Sequence, residues 1–275
     1  MIRRTLLCAV ALTACSHSTQ PSSEAPAAGV PLMTTAAAAS PPQMTGPTAP
    51  KSDAAPFALV ELFTSEGCSS CPPADALLSR LDEGARAAHA NVYPLSFHVD
   101  YWNGLGWSDP FSDPAYSDRQ GSYARALGGG TFTPNMIVNG VESFVGSDEA
   151  RANRSIETAL SAVPHAAITI DAARRGDEVG VHFHTVGAPS GSKIFFALVQ
   201  ASATSNATRG ENAGRVLRHV DVVRSLTSML ASTDGEARVA IPSALARDGA
   251  AVVAWIQDPL TMRVVAAART PLTGA

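Results

Sequence analysis

Four residues, Cys68-Ser69-Ser70-Cys71, stand where an apolar run gives way to an amphipathic one, and that change of period limits what the flanking chain can form. Phe57-Ala58-Leu59-Val60-Glu61-Leu62-Phe63 is nearly continuous in apolar residues, the pattern of a strand covered on both faces. After a loop over Thr64 to Ser70, Cys71-Pro72-Pro73 opens a helix in which Ala74, Leu77, Leu78 and Leu81 recur at i, i+3, i+4 and i+7. A second apolar run, Val92 to Val99, arrives after a helix-length gap, so a parallel βαβ unit is expected.

The chemistry follows from that placement. At the start of a helix, unpaired backbone amides and the helix dipole stabilise a thiolate, so a lowered pKa is expected at Cys68. Cys68 would then attack a disulfide and Cys71 would resolve the mixed species. The alternative is a structural staple, although closing so short a loop gains little chain entropy. A tetrahedral zinc site would need a second pair, and the other cysteines are Cys8 and Cys15 near the start of the chain.

In a parallel sheet the strand ends share one edge, which places His98 and Asp100 toward the same crevice as the cysteines. Either His98 tunes a thiol or shuttles a proton, with Asp100 fixing its tautomer, or it is a satisfied histidine in a polar loop. With Cys68 and Cys71 it also offers a copper(I) ligand set, a metal-carrier alternative. Tyr101, Trp102 and Trp107 form either an apolar wall for a protein substrate or the loop's own packing core. His182 and His184 alternate with apolar neighbours and read as the wet face of a strand.

Further on, Tyr116, Gln120, Tyr123, Ala124 and Leu127 trace a helix face ended by Gly128-Gly129-Gly130. Thr133-Pro134 leads to Asn135 to Val138, the hairpin signal Asn139-Gly140 and a return strand to Val145. Ser147 is positioned to cap a closing helix with Ala152, Ile156, Ala159, Leu160 and Val163 inward. Beyond Pro164 the helical period disappears, and seven strand-like runs between Ala167 and Ala267 suggest a small all-β sandwich.

Ahead of the folded part, Arg3, Arg4, the short apolar stretch Leu6 to Leu12 and Leu12-Thr13-Ala14-Cys15 read as an export signal over 1–14. The last four residues resemble a bacterial lipobox, which implies Cys15 as a lipid anchor to the membrane; the alternative is an ordinary signal peptide cut nearby, with Cys15 left as a free thiol. Residues 15–56, rich in Ala, Pro, Ser and Thr, read as a disordered tether. With 20 Lys plus Arg against 24 Asp plus Glu, the net charge of −4 argues against nucleic acid as a partner. Phosphate loops, nucleophile elbows and metalloprotease helices are absent from the sequence, so no cofactor is expected.

The order strand, CxxC, helix, strand, helix, Thr-Pro, hairpin, helix resembles the thioredoxin superfamily. More closely, Val60 to Asp75, Ser96 to Trp102, Thr133-Pro134-Asn135 and Arg209-Gly210-Glu211-Asn212-Ala213-Gly214-Arg215 resemble a bacterial family of secreted thioredoxin-like proteins of unassigned function. The resemblance implies an α/β thioredoxin-like domain over 57–164, followed here by the all-β sandwich over 165–275. It also implies a cis Pro134 beside the cysteines; with Thr133, and with Trp102 and Trp107 of the aromatic loop, it is expected to line a substrate groove. Gly67 replaces the usual aromatic residue, and Glu61 stands one residue out of register with the usual buried acid. Glu61 is thus either a proton acceptor for Cys71 or one half of an ion pair.

The function expected is thiol–disulfide exchange on thiol- or disulfide-containing envelope proteins. A metal carrier and a non-catalytic binding lipoprotein are the alternatives. Palmitate labelling should disappear in Cys15→Ser; equal labelling of both proteins would end the anchor assignment.

Overall fold

In the computed structural model, which describes residues 54–243, 245 and 249–272, the apolar run after Phe57 forms β1 (Ala58–Thr64), buried at every position. The signal, Cys15 and the tether as far as residue 53 lie outside the described residues. α1 (Pro72–Ala87) starts on its two prolines and turns Ala74, Leu77 and Leu78 inward. β2 (Val92–His98) returns parallel to β1, with Leu62 opposite Ser96 and Thr64 opposite His98. α2 (Pro114–Leu127) is capped by Asp113 and stopped at Gly128, whose φ of 72° suits glycine. The turn at Asn139-Gly140 joins β3 (Asn135–Val138) to β4 (Glu142–Val145). α3 (Glu149–Ser161) is capped by Asp148, one residue later than the expected Ser147.

Each strand expected after Pro164 forms, most of them longer than their periodicity suggests. They are β5 (Ala167–Arg175), β6 (Glu178–Val186), β7 (Lys193–Asn206), β8 (Val216–Leu230), β9 (Asp234–Ala240), β10 (Ala250–Gln257) and β11 (Val264–Pro271).

Their pairing overturns the expected fold class of an α/β thioredoxin-like domain followed by a small all-β sandwich. One mixed sheet of eight strands runs β11-β10-β7-β8-β2-β1-β3-β4 and draws from both sides of Pro164. Strand makes up 43% and helix 21%, with three helices among the described residues. The physical reason is the outer edge of β2. An open edge exposes unpaired amides and carbonyls, and β8 completes it in parallel at Ser96–Val222. The segment read as a sandwich therefore extends the first sheet, and only β5, β6 and β9 form a second one.

α2 covers one face of the large sheet, where Phe63 and Phe97 of the first half share a core with Val199, Val253 and Trp255 of the second. On the opposite face, α1 and α3 cover β1 and β3, while the three-stranded sheet covers β7 and β10.

Glu61 points to the α2 side. Arg119 donates to it twice, Nε to Oε2 at 2.6 Å and Nη2 to Oε1 at 2.9 Å, and the Tyr123 hydroxyl also donates to it. Arg119 further donates to Gln257 of β10 at 3.1 Å, and its guanidinium lies 4.9 Å from the ring centroids of Phe195 and Trp255. Of the two roles open to Glu61, the ion pair is the one its side chain makes. Removing one partner of a buried pair leaves an uncompensated charge, so Arg119→Met should cost about 3–5 kcal/mol in urea denaturation. A loss below about 1 kcal/mol, the worth of an exposed pair, would show that Glu61 is not held as a buried charge.

Candidate functional site

The loop after β1 is folded by its own small residues. Ser65 accepts from the Gly67 amide at 3.1 Å through its hydroxyl and from the Cys68 amide at 3.1 Å through its carbonyl. Cys68 and Cys71 are joined by a disulfide, with Cα atoms 5.5 Å apart. Cys71 already has helical backbone angles, and its carbonyl accepts from the amides of Ala74 at 2.9 Å and Asp75 at 3.1 Å. Glycine at 67 has a steric reason: a Cβ there would lie 3.0 Å from the Trp102 Cβ.

Trp102 in turn donates from Nε1 to the Thr133 hydroxyl at 2.8 Å, and the Thr133-Pro134 peptide is cis. A Cβ added at Gly146 would meet Pro134 at 3.1 Å and Ala74 at 3.2 Å, which places Pro134 beside the first turn of α1. The expected groove residues Thr133, Pro134 and Trp102 are therefore brought to one side of the cysteine loop.

Both cysteines have 0% exposure, whereas Ser69 and Ser70 face solvent. The cover comes from the far end of the β7–β8 hairpin. Asn212, 1% exposed, donates from Nδ2 to the carbonyls of Glu66 at 2.8 Å and Cys68 at 2.9 Å. Glu211 accepts from the Ser69 amide at 3.0 Å. Gly210, at a φ of 74°, has no room for a side chain, since a Cβ would stand 2.9 Å from the Trp107 Cβ. The Arg209 to Arg215 segment, one of those that carry the family resemblance, is the cap on the disulfide loop.

Beneath the loop lies a buried set of acids and imidazoles. His98 shares a hydrogen bond with Asp109 at 2.7 Å through Nδ1; Asp100, the expected partner, accepts from Ser117 at 2.5 Å instead. Asp109 also accepts from the amides of Glu66 at 2.8 Å and Phe111 at 2.9 Å. Burial pushes its pKa up, but His98 and these amides outweigh it and hold the carboxyl below its ordinary range. Glu66 accepts from Trp107 Nε1 at 2.8 Å and from the Ser205 hydroxyl, and it meets His219 Nε2 at 3.2 Å. Its pKa is lowered too, because His219 and Ser205 overcome the opposing effect of burial.

His219 stands between Glu66 and Asp75, the latter 3.8 Å from Nδ1 and beyond hydrogen-bond reach. Burial alone would favour a neutral ring, but the two carboxylates outweigh it and raise the pKa to about 10. The two carboxylates therefore favour the protonated form of the His219 ring.

Several residues of this site escaped the sequence reading. Glu66, Asp75 and Asn212 lie within the segments that carry the family resemblance, but they had no assigned role; Asp109, Ser205 and His219 carried no signal. Trp107 is not a free wall, because it is tied to Glu66 and wedged against Gly210. His182 and His184 are exposed on β6, away from this cluster's elements. Among the described residues no group of three or more His, Cys, Asp or Glu is arranged to hold a metal ion. No helix among them is long and apolar enough to cross a membrane.

The chain belongs to the family described as Protein of unknown function (DUF1223), whose model matches residues 59–257. No curated protein matches it. The crystal structure of an Agrobacterium tumefaciens protein, a structural-genomics target, is 26% identical with a TM-score of 0.58, over 80% of this chain and 95% of that one. A DUF3823 family protein from Bacteroides ovatus follows with a TM-score of 0.25 and 12% identity, over 40% of this chain and 54% of that one. A Ruminococcus gnavus β-glucuronidase, solved with uronic isofagomine, has a TM-score of 0.22 and 13% identity, over 39% and 15% of the two chains. Likeness at the level of these last two carries no argument.

The raised pKa of His219 has a consequence for stability. Its folded value of about 10 exceeds the ordinary 6.5, so its contribution is complete below pH 6.5 and is lost as pH rises toward 10. Denaturant titrations across that window should show unfolding free energy falling in the wild type and a shallower fall in His219→Gln. Parallel curves would show that the ring is neutral when folded.

Proposed function

We propose that this DUF1223 protein carries out thiol–disulfide exchange with cysteine-containing proteins of the cell envelope, through Cys68 and Cys71. The observation that carries the reading is the position of the disulfide at the junction of β1 and α1, with the first helical turn behind it and Pro134 beside that turn. Free amides at a helix start favour a thiolate there, and the thiolate is the reactive form.

In the oxidising direction a substrate thiolate attacks the Cys68 sulfur, the Cys68–Cys71 bond breaks, and its electron pair leaves on Cys71. A second substrate thiolate then attacks its neighbour in the mixed disulfide, and Cys68 is released. The substrate loses two electrons and the protein gains them. Reduction of a substrate disulfide runs the same steps backwards, and the relative potentials choose the direction. An export signal fits this chemistry, since disulfides persist in oxidising compartments outside the cytosol.

Both cysteines are fully buried, so exchange requires the loop to open, and the 209–215 cap that holds the loop backbone has to lift with it. Its three side-chain bonds to the loop backbone are the kind of local contact that opens without global unfolding.

Alkylation of Cys68 in the reduced full-length protein, read by peptide mass across pH, should give a pKa below the ordinary value of about 8.5. A value near 8.5, together with no exchange in glutathione buffers, would sink the reading. Asn212→Ala removes two bonds worth about 1 kcal/mol each, so the closed disulfide should react about 30-fold faster with a small thiol. An unchanged rate would show that the segment does not gate the site.

A further inference from the structure

Five buried side-chain atoms around one point have no hydrogen-bond partner: Thr64 Oγ1, Asp75 Oδ1, Ser96 Oγ, His98 Nε2 and His219 Nδ1. They come from four elements or their ends. Thr64 lies opposite His98 in the β1–β2 ladder, and Ser96 is two residues before His98, so these three share a sheet face. It is the face of α1, because Leu62, opposite Ser96, packs with Ala74 and Leu77. The His219 ring centroid is 4.6 Å from that of His98, and its Nδ1 is 3.8 Å from Asp75 Oδ1. An unpaired buried polar group costs about 1–3 kcal/mol, so five in one place are a poor way to stabilise a fold.

The cluster also adjoins the cystine. Asp75 is one helical turn beyond Cys71, its amide on the Cys71 carbonyl at 3.1 Å. Side chains four apart stack on one helix face, and each Cα–Cβ bond leans toward the N-terminus, so the Asp75 Cβ is directed toward the turn that holds Cys71.

We propose that Asp75 and His219 hold the proton that Cys71 takes up when the disulfide opens and gives back when it closes. The inference rests on the exchange reading above. When a thiolate attacks the Cys68 sulfur, the electron pair of the broken bond leaves on Cys71, next to the Asp75 carboxylate. Asp75 Oδ1, 3.8 Å from His219 Nδ1 with the disulfide closed, then swings to hydrogen-bond distance, and a proton passes from Nδ1 to Oδ1 and on to the Cys71 sulfur. The products are a thiol, a neutral imidazole and an ionised Asp75, so charge and protons balance. Closing reverses the path, with Cys71 returning its proton as it attacks the mixed disulfide at Cys68.

The groups facing His219 fix which ring atom moves the proton. Glu66 engages Nε2 and is itself anchored by Trp107 and Ser205. His98, held by Asp109, stands edge-on to the ring, and Phe111, with the Arg224 guanidinium over its ring, packs beside both. Nδ1 is thus the free edge, and Asp75 is the acceptor it faces.

The test follows the ring itself. In full-length protein labelled with 15N-histidine at pH 8, His219 should give an imidazolium signature with the disulfide closed and a neutral one after reduction by dithiothreitol. A disulfide that opens while the imidazolium signal stays unchanged overturns the proton path and leaves exchange standing. A disulfide that dithiothreitol does not open overturns both. Asp75→Asn, checked for native circular dichroism, should slow opening by about 100-fold, the usual size of an acid–base contribution, and should change its pH profile. A folded variant with the wild-type rate and profile would also overturn the proposal.

Discussion

The parallel junction between β2 and β8, at Ser96 and Val222, is the contact on which the rest of the site depends. It closes the open edge of β2 with a strand from the far half of the chain. The end of the β7–β8 hairpin that precedes this junction reaches the loop after β1. His219 and Ser205 arrive under the loop, and Asn212 and Glu211 arrive over it. Without that strand, Glu66 would lose the Ser205 and His219 contacts and the disulfide would lie open to water.

The charges around the loop are arranged in alternation. Asp109 faces His98, Glu66 faces His219, and Asp75 stands on the other side of His219. Each buried carboxylate would be costly alone, and each gains an imidazole or a set of amides in place of water. Glu61 is answered on the opposite side of the sheet by Arg119, so the two polar systems are insulated from one another by β1. The acid in the strand before the cysteines therefore faces away from the cluster beneath them, and the acid in the helix after them faces His219 within it.

Local elements were legible because they rest on short-range periodicity. The run from Ala58 to Thr64, the helix after Pro72 and the turn at Asn139-Gly140 each follow from residues that touch their neighbours in sequence. Sheet membership did not follow, because alternation marks a strand without naming the strand it pairs with. Ser202 to Asn206 lacks the apolar residues of a strand, yet it extends β7 through its pairing with Val216 to Val220. The face taken by His219 also depends on a slip in that ladder, where Leu198 meets Ser225, Val199 meets Val223, and Arg224 is passed over. A one-residue slip of this kind reverses every side chain beyond it, and no local pattern records it.

The cap over the cysteines belongs to a part of the chain that is made late. Asn212 lies 144 residues after Cys68, and synthesis proceeds from the N-terminus. While the polypeptide is still emerging, β1, α1 and β2 can assemble with the two thiols uncovered. Any oxidant that forms the bond has free access during that interval, and once the hairpin docks it reaches the bond only when the cap lifts. Order of emergence thus separates the making of the disulfide from its keeping: the first happens in an open loop, the second under a cover that has yet to be built.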